Sequence, residues 1–262
     1  MSKSPDRERF PLNKRKRNGG TLSRSARAEV RRGPRDVFHG DIDEPDRLES
    51  TILVLAQDKY PSRFGSSTGT IYPVQDSERW AMPRIHILGA SGSGTSTLGA
   101  ALAARLGHPH VDADALFWMT TDPPFTTRRP AEERHALLLQ SLPITGQWVF
   151  SGSALKWAAS LEPVYDLIVF LRLAPSERME RLRRRQVMRY GARIEAGGDM
   201  AAATADFLRW AEAYDSAGPE QRSLVLHKEW LASQTAPVLR LSSSASVEDL
   251  VTSVVSSGAT GV

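Results

Sequence analysis

Cysteine is absent from all 262 residues, which excludes disulfides, thiolate metal centres and cysteine nucleophiles and suits a reducing compartment. Long apolar runs are missing as well. The longest, such as Leu167 to Leu171, reach five residues, against the roughly 20 that a membrane-crossing helix needs, so no membrane span is expected. The charged N-terminus has no apolar stretch behind it, so no secretory signal is read and the expected location is cytoplasmic. Lysine nearly vanishes after residue 81, where only Lys156 and Lys228 occur. His108 and His110 have no third ligand nearby in sequence, which argues against a zinc site. Ser153 lacks a G-x-S-x-G frame, which argues against a hydrolase.

The charge that is present is unevenly spread. Residues 1–81 hold 16 Lys/Arg and 12 Asp/Glu, and residues 82–262 hold 18 of each, so the whole net charge of +4 belongs to the first segment. Clusters such as Lys14-Arg15-Lys16-Arg17 stand among Pro, Gly and Ser, with neither a helical nor a strand period. Such a composition cannot bury enough apolar surface to offset chain entropy. Residues 1–81 are therefore predicted to be a largely disordered basic extension, and nucleic acid contact is expected nowhere except through this tail. Met82-Pro83-Arg84-Ile85 leads straight into an apolar run, as a natural start would, so residues 1–81 also read as an over-extended gene start.

From residue 84 the pattern changes to short apolar runs separated by helical stretches. Strands are predicted at Arg84–Leu88, His110–Asp112, Trp148–Ser151, Leu167–Leu171 and Val238–Leu241, several of them apolar at consecutive positions, as strands covered on both faces are. Helices are predicted at Thr95–Leu106 before Gly107, Ala131–Leu142 after Pro130, and Ser176–Tyr190 before Gly191. Phe207, Trp210, Ala211 and Tyr214 follow a helical period, and Ser246-x-x-Asp249 is a capping signature for a last helix. The predicted fold is α/β: a five-stranded parallel sheet flanked by helices, occupying residues 82–256, with a flexible tail at 257–262.

The densest signal is Gly89-Ala90-Ser91-Gly92-Ser93-Gly94-Thr95-Ser96-Thr97, set between the first strand and the first helix. Glycines let backbone N–H groups turn inward around an anion, and the helix adds unpaired N–H groups and the positive end of its dipole. Ser96 stands where a hydroxyl ligates Mg²⁺. In G-x-x-x-x-G-K-[ST] terms one residue departs: the lysine position holds Thr95. ATP and Mg²⁺ are the expected ligands, and the missing cation must come from elsewhere or turnover is weak.

This loop and its surroundings resemble the small P-loop kinases, the group of shikimate kinase, gluconate kinase and adenylate kinase, over about residues 84–255. The resemblance implies a phosphotransferase acting on a small molecule or nucleotide, with an acidic site after the second strand and an arginine-bearing helical lid after the fourth. Val111-Asp112-Ala113-Asp114 looks like the acidic site, with Asp114 near the acceptor hydroxyl or on Mg²⁺ through water and Asp112 supporting it. One of the two also reads as a helix cap. Helical spacing turns Met179, Leu182 and Tyr190 inward and Arg181, Arg184 and Arg185 largely outward; the lid candidates are those nearest the helix end, Arg185, Arg189 and Arg193. Lys156, in a Ser-Ala-Leu-Lys run like that of gluconate kinases, or a lid arginine would replace the charge lost at Thr95. Arg128 and Arg129 are candidates for an anionic group on the acceptor, and Phe117 and Trp118 for a ring or apolar wall. Gly197-Gly198 reads as a mobile join in the lid. The alternative is a nucleotide-binding regulator with little turnover, which Thr95 favours.

Overall fold

The computed structural model describes residues 84–155 and 157–259. The readings made above for residues 1–81, for Lys156 and for the last three residues lie outside them. Five strands form one all-parallel sheet in the order β2-β3-β1-β4-β5: β1 Arg84–Gly89, β2 His110–Asp112, β3 Trp148–Ser151, β4 Leu167–Arg172 and β5 Val238–Ser242. The helices are α1 Thr95–Leu106, α2 Ala113–Phe117, α3 Ala131–Ser141, α4 Pro175–Tyr190, α5 Ala201–Glu212, α6 Leu224–Ser233 and α7 Val247–Ala259, with short 3-10 segments among them. The last helix runs past residue 256, where a flexible tail was expected, and Ser246 Oγ caps it by accepting from Asp249 N at 3.1 Å.

Alternate residues of the central strands feed two cores, which is why their sequences are apolar at successive positions. Ile85, Ile87, Val149, Val169 and Leu171 pack with Leu98 and Leu102 of α1 and Leu250 and Val254 of α7. On the other face Leu88, Trp148, Phe150, Ile168 and Phe170 pack with Leu138 of α3 and Leu231 of α6. His86 lies on this second face between Phe150 and Tyr165, at ring distances of 5.0 and 4.9 Å, and its Nδ1–H donates to the Phe150 carbonyl at 3.2 Å. Burial holds its pKa down to about 4, so it is a neutral core residue. A third cluster, Met179 and Leu182 with Phe207 and Ala211, joins α4 to α5. The buried Arg178 strengthens that joint by donating to the Ala211 carbonyl at 2.7 Å and to Asp215 at 2.8 Å.

The chain moves from β1 out to β2, back through β3, and then across β1 to β4. The loops after β1 and β3 therefore leave the same edge of the sheet at the point where the winding reverses, where ligands of open α/β sheets collect.

Candidate functional site

The loop between β1 and α1 is braced from within. Ser93 is buried, and both its backbone N–H and its hydroxyl donate to the Ala90 carbonyl, at 3.0 and 2.8 Å. Ser93 thus shapes the loop and is absent from the cleft wall, in contrast to its expected place among the phosphate ligands; the neighbouring Gly89, Ala90, Ser91, Gly92 and Gly94 do line the cleft, with Thr95, Ser96 and Thr97. Gly92 and Gly94 have φ of +86° and +89°, a region costly to other residues. Gly94 ends the loop as the N-cap of α1, with no side-chain cap and no acidic residue in the first turn. The first N–H groups of α1 therefore keep their capacity for an external anion.

Two arginine-bearing segments approach this cradle. Arg181 and Arg185 come from α4 and Arg222 from the turn before α6, and all three line the cleft. Arg181 donates to the Ser243 carbonyl at 3.2 Å, and its Nη1 lies 3.9 Å from where a Cβ on Gly94 would stand. Arg181 is exposed, as helical spacing turns it, and it borders the open cleft beside the phosphate loop. Arg222 was not singled out by sequence reasoning. Its half-buried guanidinium donates to the Ser153 carbonyl at 3.3 Å and stacks on Trp210 at 5.4 Å. The one local signal for it is a cation immediately before the Ser223 N-cap, on the unfavourable end of the α6 dipole.

The acidic pair divides its roles. Asp112 Oδ1 accepts from Asp114 N at 2.9 Å and caps α2, the capping role foreseen for one of the two. Asp114 stands in the cleft, reachable by water yet crowded by protein. Burial, then the Asp112 carboxylate, raises its pKa above the usual range against the pull of Arg222, Arg185 and Arg189.

Ser153, just past β3, is held by a buried chain. His227 Nε2 is 3.0 Å from Ser153 Oγ, and His227 Nδ1 is 2.7 Å from the Tyr214 hydroxyl. Burial holds His227 down to about 3, so the ring is neutral and carries one N–H. The ring bridges the buried Tyr214 hydroxyl and Ser153 Oγ and so fixes the Ser153 side chain at the cleft.

Beside the phosphate cleft lies a second cavity of about 240 Å³. Phe117, Trp118 and Arg128 line it, as does Arg189, whose guanidinium lies 4.0 Å from the Phe125 ring centroid. Arg134, buried at 6% exposure, lies 4.8 Å from the Phe117 centroid and 5.2 Å from that of Trp157. Arg129 departs from expectation: its guanidinium donates to the Leu116 and Trp118 carbonyls, at 3.0 and 3.3 Å, and holds the α2 end rather than lining the cavity. Arg193 also departs, since it pairs with Asp199 and Asp122 and so ties the lid to the loop after α2. The Tyr190 hydroxyl makes a second tie, donating to the Pro124 carbonyl at 3.0 Å. Gly198 closes a tight turn there, its N–H donating to the Glu195 carbonyl at 2.9 Å.

Residues 85–200 match the family described as AAA domain, a P-loop NTPase family. A Bacillus subtilis (strain 168) protein, Uncharacterized protein YqaC, is 46% identical over 167 residues, which span 64% of this chain and 92% of that one. Among solved structures, a gluconokinase from Sinorhizobium meliloti 1021 is 16% identical over 68% of this chain and 91% of its own, with a TM-score of 0.39. A shikimate kinase from Bacteroides thetaiotaomicron is 19% identical over 66% of this chain and 96% of its own, also with a TM-score of 0.39. With its phosphate loop, its parallel sheet and a relative matched over nearly its full length, the chain belongs to the P-loop NTPases.

Proposed function

We propose that this protein is a Mg²⁺-ATP-dependent phosphotransferase acting on a small-molecule acceptor. The observation that carries this reading is the junction between the two compartments: Ser91, Asp114, Ser153, Arg185 and Arg222 line both the phosphate cleft and the second cavity. Binding alone needs only the cleft. Transfer needs a donor and an acceptor brought into line, with charge-stabilising groups where they meet.

The loop amides and the uncapped start of α1 suit the β- and γ-phosphates of ATP. Ser96, with Asp114 through water, would hold Mg²⁺. Such an oxygen-only pair fits a cation that keeps most of its water, and among the described residues no group of three or more His, Cys, Asp or Glu forms a denser site. Bound there, the ion supplies positive charge to the phosphate oxygens.

The chain's own residues supply the remainder. Arg181, Arg185 and Arg222 bring to the cleft the charge that Thr95 does not, and guanidinium forks stay charged and match phosphate oxygens. Asp114 accepts a hydrogen bond from the acceptor hydroxyl, and its raised pKa makes it a stronger base as the new bond forms. Ser153, held by His227, presents its hydroxyl at the junction.

Acceptor-dependent ADP release from the full chain, with Ser96→Ala as control, tests the reading. Formation of ADP that needs both an acceptor and Ser96 supports it. Tight ATP binding without acceptor-dependent product, across a broad acceptor library, would instead support the regulator that Thr95 favours.

A further inference from the structure

The second cavity carries more chemistry than phosphoryl transfer needs. Its wall is aromatic on two sides, with Phe117, Trp118, Phe125 and Trp157 from the α2 and β3 ends and Phe207 and Trp210 from α5. Hydroxy acids without an aromatic ring have little to stack against such a wall, whereas a planar aromatic ring offers a face on each side. The same wall contains polar atoms in need of partners. Gln186 Oε1, Thr204 Oγ1 and Gln221 Nε2 are buried without a hydrogen bond, and all three residues line the cavity. Gln186 is 4% exposed and Thr204 7%. An amide oxygen requires a donor, an amide nitrogen requires an acceptor, and a hydroxyl serves as either. The three atoms are closed to water, although each belongs to a residue of the cavity wall. Unsatisfied groups gathered in one wall call for an explanation, and a planar ligand with donors and acceptors along one edge supplies it.

We propose that this cavity is a nucleobase site, in which the ring stacks on the aromatic wall and its hydrogen-bonding edge is read by Gln186, Thr204 and Gln221. The proposal rests on the phosphotransferase reading in one respect, that the base belongs to the acceptor, a nucleoside or a nucleoside monophosphate. Asp114 at the junction suits the hydroxyl of a nucleoside. Arg128, Arg134 and Arg189, set against Glu220 in the cavity alone, suit the phosphate of a monophosphate.

Titration calorimetry on the full chain separates the possibilities. The arms are the common nucleosides, their 5′-monophosphates, and shikimate and gluconate as hydroxy acids without an aromatic ring, each with and without a non-hydrolysable ATP analogue. The variants are Gln186→Met and Thr204→Val, both close to isosteric. At least one base-containing ligand is expected to bind, and each variant is expected to weaken it about tenfold without changing affinity for the ATP analogue, which also shows that the variant is folded. Each variant should melt about 2 °C higher without ligand, because an unsatisfied polar atom has been removed. Binding of hydroxy acids alone, or base binding unchanged in both variants, overturns the proposal. Failure of the wild-type chain to bind the ATP analogue while a base still binds would overturn the phosphotransferase reading and leave the nucleobase site standing.

Discussion

Replacing Gly92 by alanine tests how closely the phosphate loop is seated on the arginine-bearing helix α4. At φ +86°, a Cβ on residue 92 would lie 2.9 Å from the Arg178 carbonyl oxygen and 2.9 Å from Leu182 Cγ. Gly107, just past α1, supplies the control: its φ is +70°, but a Cβ there meets nothing within 4 Å. Alanine at 107 carries the left-handed backbone cost alone, about 1 kcal/mol after the reduced freedom of the unfolded chain is counted. Alanine at 92 adds overlap with a backbone oxygen and a buried leucine, about 1–3 kcal/mol more. The expected losses are therefore about 2–4 kcal/mol for Gly92→Ala and about 1 kcal/mol for Gly107→Ala. Urea unfolding followed by tryptophan fluorescence measures both, and a fluorescent ATP analogue reports the site. Gly92→Ala should also weaken nucleotide binding, because relieving the overlap moves the loop off α4, while Gly107→Ala should leave binding intact. Equal losses at the two positions, or an unaltered nucleotide affinity in Gly92→Ala, would refute the packing argument.

Arg222→Ala is expected to lower kcat by about 10²-fold with the fold intact by circular dichroism, the scale of removing one preorganised charge at a transition state. Thr95→Lys is expected to bring no gain in kcat, because three arginines already line the cleft; a tenfold rise would show that they leave the charge gap open. In a pH–rate profile, activity that needs ionised Asp114 declines as pH falls through its raised pKa. Asp112→Asn removes one cause of that rise, so the acid limb should move to lower pH. His86 binds fewer protons folded than unfolded between its folded value of about 4 and its ordinary 6.5, so its contribution to stability is present above that window and lost as pH falls through it. That contribution amounts to about 3 kcal/mol, and urea unfolding of His86→Phe across the window should show a correspondingly flatter acid limb.

The sheet was legible because covered strands declare themselves by apolar residues at successive positions. β2 and β3 begin and end where the pattern places them, and β1, β4 and β5 each run one residue further. The cradle was legible because its chemistry is local, a strand, a glycine loop and a helix start in register. The arginines were only partly legible. A single inward stripe is the natural reading of a helix with Met179, Leu182 and Tyr190 on one side; Arg181 is exposed as that stripe implies, but the helix alone does not show that its side borders the cleft. Arg178 was not legible either: a charge at 1% exposure is tolerated because the Ala211 carbonyl and the Asp215 carboxylate, from elements later in the chain, accept its hydrogen bonds. Arg222 arrives from 69 residues beyond Ser153, and no spacing rule links the two.

In this protein the cradle and its counter-charge are carried by different segments of chain. A phosphate loop with lysine holds shape and charge in one stretch, so neither changes without the other. Here the loop is electrically neutral apart from backbone dipoles, and the cations ride on α4 and on the approach to α6. A small displacement of α4 relative to α1 would alter the potential felt by the phosphates while every loop amide kept its direction. Affinity and rate can therefore be adjusted through separate parts of the sequence.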